Sequence, residues 1–188
     1  MAQWDEIRYL KMKKKVLILS ASPRRGGNSD YLCDRFMAGA QEAGHEVEKI
    51  FVRDKKINFC SGCGVCNTTH RCVQKDDMAE ILDKMVAADV LVLGTPVYFY
   101  SMDGQLKTLI DRTVPRYTEL SGKAYLIATL ADIGKRSGEG TAVAFRSYLE
   151  CLDKVEEAEL IFGYGAWNVG DILGNPAVEQ AYQAGKNV

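Results

Sequence analysis

Four thiols fall on one short stretch: Cys60, Cys63, Cys66 and Cys72, in the run CSGCGVCNTTHRC. Two overlapping CxxC units followed by a fourth cysteine suit a metal centre. Each CxxC brings two thiolates together on a tight turn, and Gly62 and Gly64 relax the backbone there. A second run, SASPRRGGNS at residues 20–29, directly follows a short apolar segment, VLIL. It offers the hydroxyls of Ser20, Ser22 and Ser29, the Asn28 amide, the Arg24 and Arg25 guanidinium groups, and free N–H groups near Gly26 and Gly27. A Gly/Ser-rich turn entering a helix cradles an anion, because backbone N–H groups and the helix dipole both point at it. Arginine adds a planar fork that donates bidentately to phosphate. A phosphate-bearing cofactor beside a thiolate cluster is the equipment of electron transfer.

The elements that must position these residues are legible in the apolar pattern. Continuous apolar runs at residues 16–19 and 90–93 predict strands covered on both faces. Residues 46–52, 124–130 and 159–163 complete a set of five strands. Helices are expected at 28–44, 76–88, 102–112, 141–152 and 176–185, the last with Pro176 in its first turn. The alternation gives an α/β fold, a doubly wound five-stranded parallel sheet of order 2-1-3-4-5 with helices on both faces. Ligands then sit at the carboxyl ends of strands 1, 3 and 4. Residues 53–75 form a connection too long for a compact domain to keep without a function. Residues 15–188 read as a single domain, and residues 1–14 as an extension whose Trp4, Ile7, Tyr9 and Leu10 suit packing on a neighbouring subunit.

Composition narrows the setting. A formal net charge of −1 gives no electrostatic case for nucleic acid or an anionic membrane. No apolar run approaches the roughly 20 residues of a membrane span. The apolar run after Lys13, Lys14 and Lys15 is too short for a signal peptide. A cytoplasmic protein with reduced thiols is expected, where clustered cysteines serve metal or redox roles.

Three segments carry a resemblance. SPRRGGNS at 22–29, the cysteine loop with DDM at 76–78, and TPVYFYSMDGQLKTLIDR at 95–112 are similar to the NADPH-dependent FMN reductase family. GYGAWNVGDI at 163–172 is similar to members of it as well. Within that family the cysteine spacing resembles the iron–sulfur flavoproteins, which pair FMN with a [4Fe–4S] cluster in an oligomer. The resemblance implies a flavodoxin-like fold, FMN as cofactor and NAD(P)H as electron donor. It also implies a homodimer or homotetramer. Its motif maps phosphate contacts onto Ser22, Arg24, Asn28 and Ser29, within the turn that holds Gly27; Arg25 has no counterpart and is expected in solvent. Thr95, Pro96, Val97, Tyr98, Phe99 and Tyr100, ending strand 3, would offer the isoalloxazine flat apolar surface and N–H donors. The loop at 131–140 should close over the ring's other side.

The cysteines leave three readings open. One is a [4Fe–4S] cluster, whose spacing here departs from the ferredoxin run by a five-residue spacer before Cys72 and no proline after it. The others are metal-free redox thiols and zinc, although zinc favours two knuckles further apart. Three functions follow: NAD(P)H-dependent reduction of a flavin, quinone or other small acceptor; electron exchange between cluster, FMN and a ferredoxin-like partner; and a zinc-bound structural module. Hydride transfer to flavin needs stacking and no protein nucleophile, so no catalytic side chain is expected. His45 is expected in solvent, His70 outside any ligand set, and Cys33 and Cys151 in the core. Asp111 and Arg112 are expected to form a helix-end charge pair or an interface contact.

Overall fold

The computed structural model describes residues 13–188. The apolar residues expected to dock the extension, Trp4, Ile7, Tyr9 and Leu10, lie outside the described residues. The chain runs β1 (Lys15–Ser20), α1 (Asn28–Glu42), β2 (Glu46–Phe51), α2 (Cys66–Thr69), α3 (Met78–Ala87), β3 (Val90–Tyr98), β4 (Ser101–Met102), α4 (Gly104–Asp111), β5 (Ser121–Thr129), α5 (Arg136–Leu149), β6 (Lys154–Gly163) and α6 (Pro176–Lys186).

Five strands pair in parallel in the order β2-β1-β3-β5-β6, the expected doubly wound order once the short β4 is set aside. The apolar runs explain themselves in cross-section. Leu17, Leu19, Leu91 and Leu93 face a layer built by α3, α4 and α5, with Met85, Leu109 and Phe145 in it. Val16, Ile18, Val90 and Val92 face α1 and α6, with Leu32, Phe36 and Ala181. Val16–Leu19 of β1 and Val90–Leu93 of β3 are therefore buried on both faces, which is why their runs are apolar without a break, while polar residues stand only towards the strand ends, at Lys15, Ser20 and Thr95.

The structure departs from the sequence pattern at three boundaries. β3 continues to Tyr98, because Gly94, Thr95 and Pro96 keep pairing with Ile127, Ala128 and Thr129 of β5. It then turns back as a hairpin, with Val97 opposite Met102 and Tyr98 opposite Ser101. The central residues Phe99 and Tyr100 both have positive φ, as a type I′ turn requires, although aromatic residues seldom adopt it. β6 begins at Lys154, where an exposed edge strand carries charges that resemble a loop. α5 begins at Arg136 within a Gly-rich stretch. Its glycines serve close approach: a Cβ at Gly138 would lie 2.9 Å from the Phe162 ring, and one at Gly140 would lie 2.3 Å from the Tyr100 carbonyl oxygen.

Candidate functional site

The loops after β1, β3, β5 and β6 converge at the carboxyl end of the sheet, at the point where strand order reverses. There Ser22, Arg24, Gly27, Asn28 and Ser29 line one cleft of about 350 Å³ together with Pro96, Val97, Tyr98 and Phe99. Thr95 stays behind it, fully buried, with its hydroxyl accepting the Asp103 N–H at 3.0 Å. The far wall comes from Thr129, Leu130, Ala131, Ala166 and Trp167, residues that no periodicity marks as functional.

The end of the cleft where the sequence leads one to expect a phosphate is built by a loop folded tightly on itself. The Ser22 hydroxyl accepts the Arg24 N–H at 3.2 Å, and the Gly27 N–H donates to the Arg24 carbonyl at 2.9 Å. A Cβ at Gly27 would lie 2.9 Å from both the Arg24 carbonyl oxygen and the Arg24 Cβ, so only glycine fits. Because Gly27 is also the N-cap of α1, no side chain occupies the first-turn N–H groups, which suits an anion there. Asp30 sits in that same turn, yet its charge is spent inward. Its carboxylate accepts from Ser20 Oγ at 2.7 Å, the Gly26 N–H at 2.8 Å and Lys49 Nζ at 3.0 Å. Burial pushes this carboxyl up, but these donors outweigh burial and hold it below the usual carboxylate range.

The side chains expected to reach phosphate also hold the cleft together. Asn28 Nδ2 donates to the Asn168 carbonyl at 2.8 Å, and Asn28 Oδ1 accepts the Gly170 N–H at 3.0 Å. Arg24 donates to the Trp167 carbonyl at 3.3 Å, and the Ser29 and Thr129 hydroxyls pair at 2.6 Å. Asn28→Ala should release this clasp. With two hydrogen bonds worth about 1 kcal/mol each, exchange of the Gly170 amide should quicken by at least about tenfold. Unchanged exchange would mean that the loop holds itself. The ring end is apolar and open: Phe99 is 99% exposed and Trp167 74% exposed. Beyond it, the loop after β5 is tied by Asp132, which accepts from Ser137 and from the Gly134 N–H. Arg25 is exposed, as expected, and there it pairs with Asp54 and lies over the Phe51 ring at 4.4 Å.

The cysteine loop lines no part of that cleft. Cys60 and Cys63 are exposed, Cys66 and Cys72 half-buried, and all four are free thiols. Gly62, Gly64 and His70 have positive φ and shape the turns around the four-residue α2. Among the described residues no three His, Cys, Asp or Glu side chains are gathered about a point that could hold a metal ion. The donor set fits a thiolate-ligated centre by its chemistry and accessibility; loading would have to draw the four sulfurs together. The base of the loop is fixed by Arg112, which does not pair with Asp111 as expected. Arg112 donates to both Asp76 oxygens at 2.8 and 3.0 Å, to the Asn58 carbonyl at 2.6 Å and to Cys72 Sγ at 3.4 Å. Asp111 instead pairs with Lys107.

Two further expectations are corrected. His45 is buried, with Nδ1 accepting the Lys14 N–H at 3.3 Å, because the turn after α1 folds it against β1. Cys151 is exposed, because α5 ends at Leu149 and the chain turns outward there. Cys33 is in the core as expected, its thiol pushed up to about 12 by burial and so chemically inert.

A family model described as NADPH-dependent FMN reductase matches residues 14–157. Among curated proteins, an iron–sulfur flavoprotein of Archaeoglobus fulgidus is 39% identical over 86% of this chain and 82% of its own length. A second from that organism is 38% identical over 64% of this chain. One from Methanosarcina thermophila is 36% identical over 66% of this chain. The match spans only 56% and 65% of the length of these last two. Among solved structures, an azoreductase of Bacillus anthracis superposes with a TM-score of 0.73, at 16% identity, over 93% of this chain and all of its own. An NAD(P)H:quinone oxidoreductase of Methanothermobacter marburgensis gives 0.72, at 18% identity, over 93% of this chain and 96% of its own. At such identities these two establish the fold alone. No helix of the described residues is long and apolar enough to cross a membrane.

Proposed function

Starting from a chain that belongs to the NADPH-dependent FMN reductase family, we propose that it is an FMN-dependent oxidoreductase that takes electrons from NAD(P)H and gives them to a flavin, a quinone or another small acceptor. The observation that carries this reading is the cleft itself, which joins an uncapped helix start to an exposed aromatic wall. FMN, when bound, supplies the hydride and single-electron chemistry. The protein's part is to hold and orient it. The first-turn N–H groups of α1 and the Arg24 guanidinium would hold the phosphate; Ser22, Gly27, Asn28 and Ser29 shape that cradle. Pro96, Val97, Tyr98 and Phe99 would flank the ring, with Thr95 fixing the strand end beneath them. Trp167 would limit water on the far side. A second copy of the chain would cover the open face at Phe99, giving a homodimer or homotetramer.

Titration with FMN and FAD, followed by anaerobic NAD(P)H, tests the reading. FMN should bind tightly, FAD weakly, and the flavin absorbance should bleach on NAD(P)H addition. Equal affinity for FAD, or no bleaching by either nucleotide, sinks the reductase. A monomer by light scattering at full FMN loading sinks the covered face.

A second reading draws on the iron–sulfur flavoprotein that matches over 82% of its length, and on four loop thiols that are all free and unsealed. In it Cys60, Cys63, Cys66 and Cys72 ligate one [4Fe–4S] cluster, and a ferredoxin-like partner replaces NAD(P)H as donor. Six unpaired thiols suit a reducing compartment such as the cytoplasm.

A further inference from the structure

The cysteine loop has a single buried charge pair at its base. Arg112 and Asp76 have side chains only 2% and 0% exposed, deeper than any other ion pair among the described residues. The guanidinium reaches both sides of the loop at once: Asn58 lies before Cys60, while Cys72 and Asp76 close its far end. Arg112 also ends α4, its N–H donating to the Thr108 and Leu109 carbonyls at 3.2 and 3.1 Å. That helix, about 12 Å long, starts directly after the Phe99–Tyr100 hairpin. One residue thus joins the loop mouth, the fourth cysteine sulfur and the helix that follows the aromatic hairpin.

We infer that Arg112 is a positioning residue that clamps the cysteine loop shut at its base and holds Cys72 by its sulfur. The clamp exists without metal. Its effect on a bound cluster rests on the second reading above. Only arginine has the geometry: two fork nitrogens engage the carboxylate while the same nitrogens reach a carbonyl and a sulfur, which an ammonium on a flexible stem cannot reproduce. A cationic N–H donor on a ligand sulfur also favours the more negative, reduced state of a cluster, because hydrogen bonds and net charge set such potentials.

The test uses Arg112→Gln and Arg112→Lys in the full chain. In metal-free protein, exchange of the hydrogen-bonded amides at the loop base, those of Lys56, Asn58 and Asp77, should quicken by about a hundredfold in the Gln variant, as expected for breaking a buried pair. The Lys variant should be intermediate, and exchange in β1 and β3 should stay as in the wild type. Loop exchange that is unchanged, or that rises only in step with β1 and β3, overturns the clamp. In anaerobically loaded protein, the Gln variant should show a lower midpoint potential, and an unchanged one overturns the sulfur contact. Wild-type protein that takes up no iron removes the cluster reading, while the metal-free exchange still decides the clamp.

Discussion

Cys63→Ala should empty the cysteine loop of iron while leaving FMN in place. Anaerobically reconstituted wild-type protein should carry about four irons and four sulfides per chain, and the variant a small residue of either. Cys63 is chosen because it belongs to both overlapping CxxC units, so its loss separates Cys60 from Cys66. The Val65 N–H and the Ser61 hydroxyl favour its thiolate, so the thiol lies below its ordinary pKa. Gathering four sulfurs from segments a few residues apart costs little closure entropy once the ends of the loop are fixed. FMN content should not change, because no cysteine of the loop lines the cleft. Wild-type protein with full FMN and no iron would leave the plain reductase; stoichiometric zinc would replace the cluster by a structural metal.

Asp103→Asn should raise stability at neutral pH by up to about 3 kcal/mol and flatten its fall between pH 4 and 6. Asp103 is the N-cap of α4, 3% exposed, with Oδ1 accepting the Leu106 N–H at 3.0 Å and the Thr95 hydroxyl at 3.3 Å. Oδ2 is buried without a protein donor. Burial pushes the carboxyl up to about 6, against the two hydrogen bonds that favour its charge. The folded protein therefore keeps a proton that the unfolded chain releases near pH 4. Stability contributed at low pH is lost as pH rises through that window, at about 1.4 kcal/mol for each pH step of one between the unfolded and folded pKa. Asparagine keeps the cap acceptor and cannot ionise. Asp76 acts in the opposite sense. Burial raises its carboxyl, but Arg112 and the Asn58 and Met78 N–H groups outweigh burial and hold it down to about 2. Its contribution is complete above pH 4 and is lost as pH falls towards 2. Chemical denaturation of both proteins across pH 3–8 reads the two windows. A variant less stable than wild type at pH 7, or a wild type flat between pH 4 and 6, contradicts the assignment.

The sheet was legible because burial on both faces leaves a plain mark: VLIL and VLVL cannot be anything exposed. The tight turn at residues 22–29 was legible because its glycines and small polar residues at fixed spacing restrict the backbone there. What the pattern hid was set by tertiary contact. Gly138 and Gly140 read as loop, yet they let a helix press against Phe162 and the Tyr100 carbonyl. The charged start of β6 read as a connection, because an edge strand on its exposed side has no apolar signature. Arg112 and Asp111 look like a pair in sequence, and only the fold shows that Arg112 points across 36 residues to Asp76. Thr129 reaches the cleft from the end of β5 and Trp167 from the loop after β6, and no apolar period marks either as lining it.

The clasp between the first loop and the late segment takes hold of main chain alone. Asn28 and Arg24 bond to the Asn168 and Trp167 carbonyls and the Gly170 N–H, all main-chain groups. Asp171 likewise secures the turn through the N–H groups of Trp167 and Asn168. The rim can therefore change its residues at 167–169 without loosening its attachment. Asn168 and Val169 do not line the cleft, so selection for a different acceptor can act on this rim while the frame beneath stays fixed. A saturation library confined to Trp167, Asn168 and Val169 is the natural place to look for altered acceptor preference in this chain.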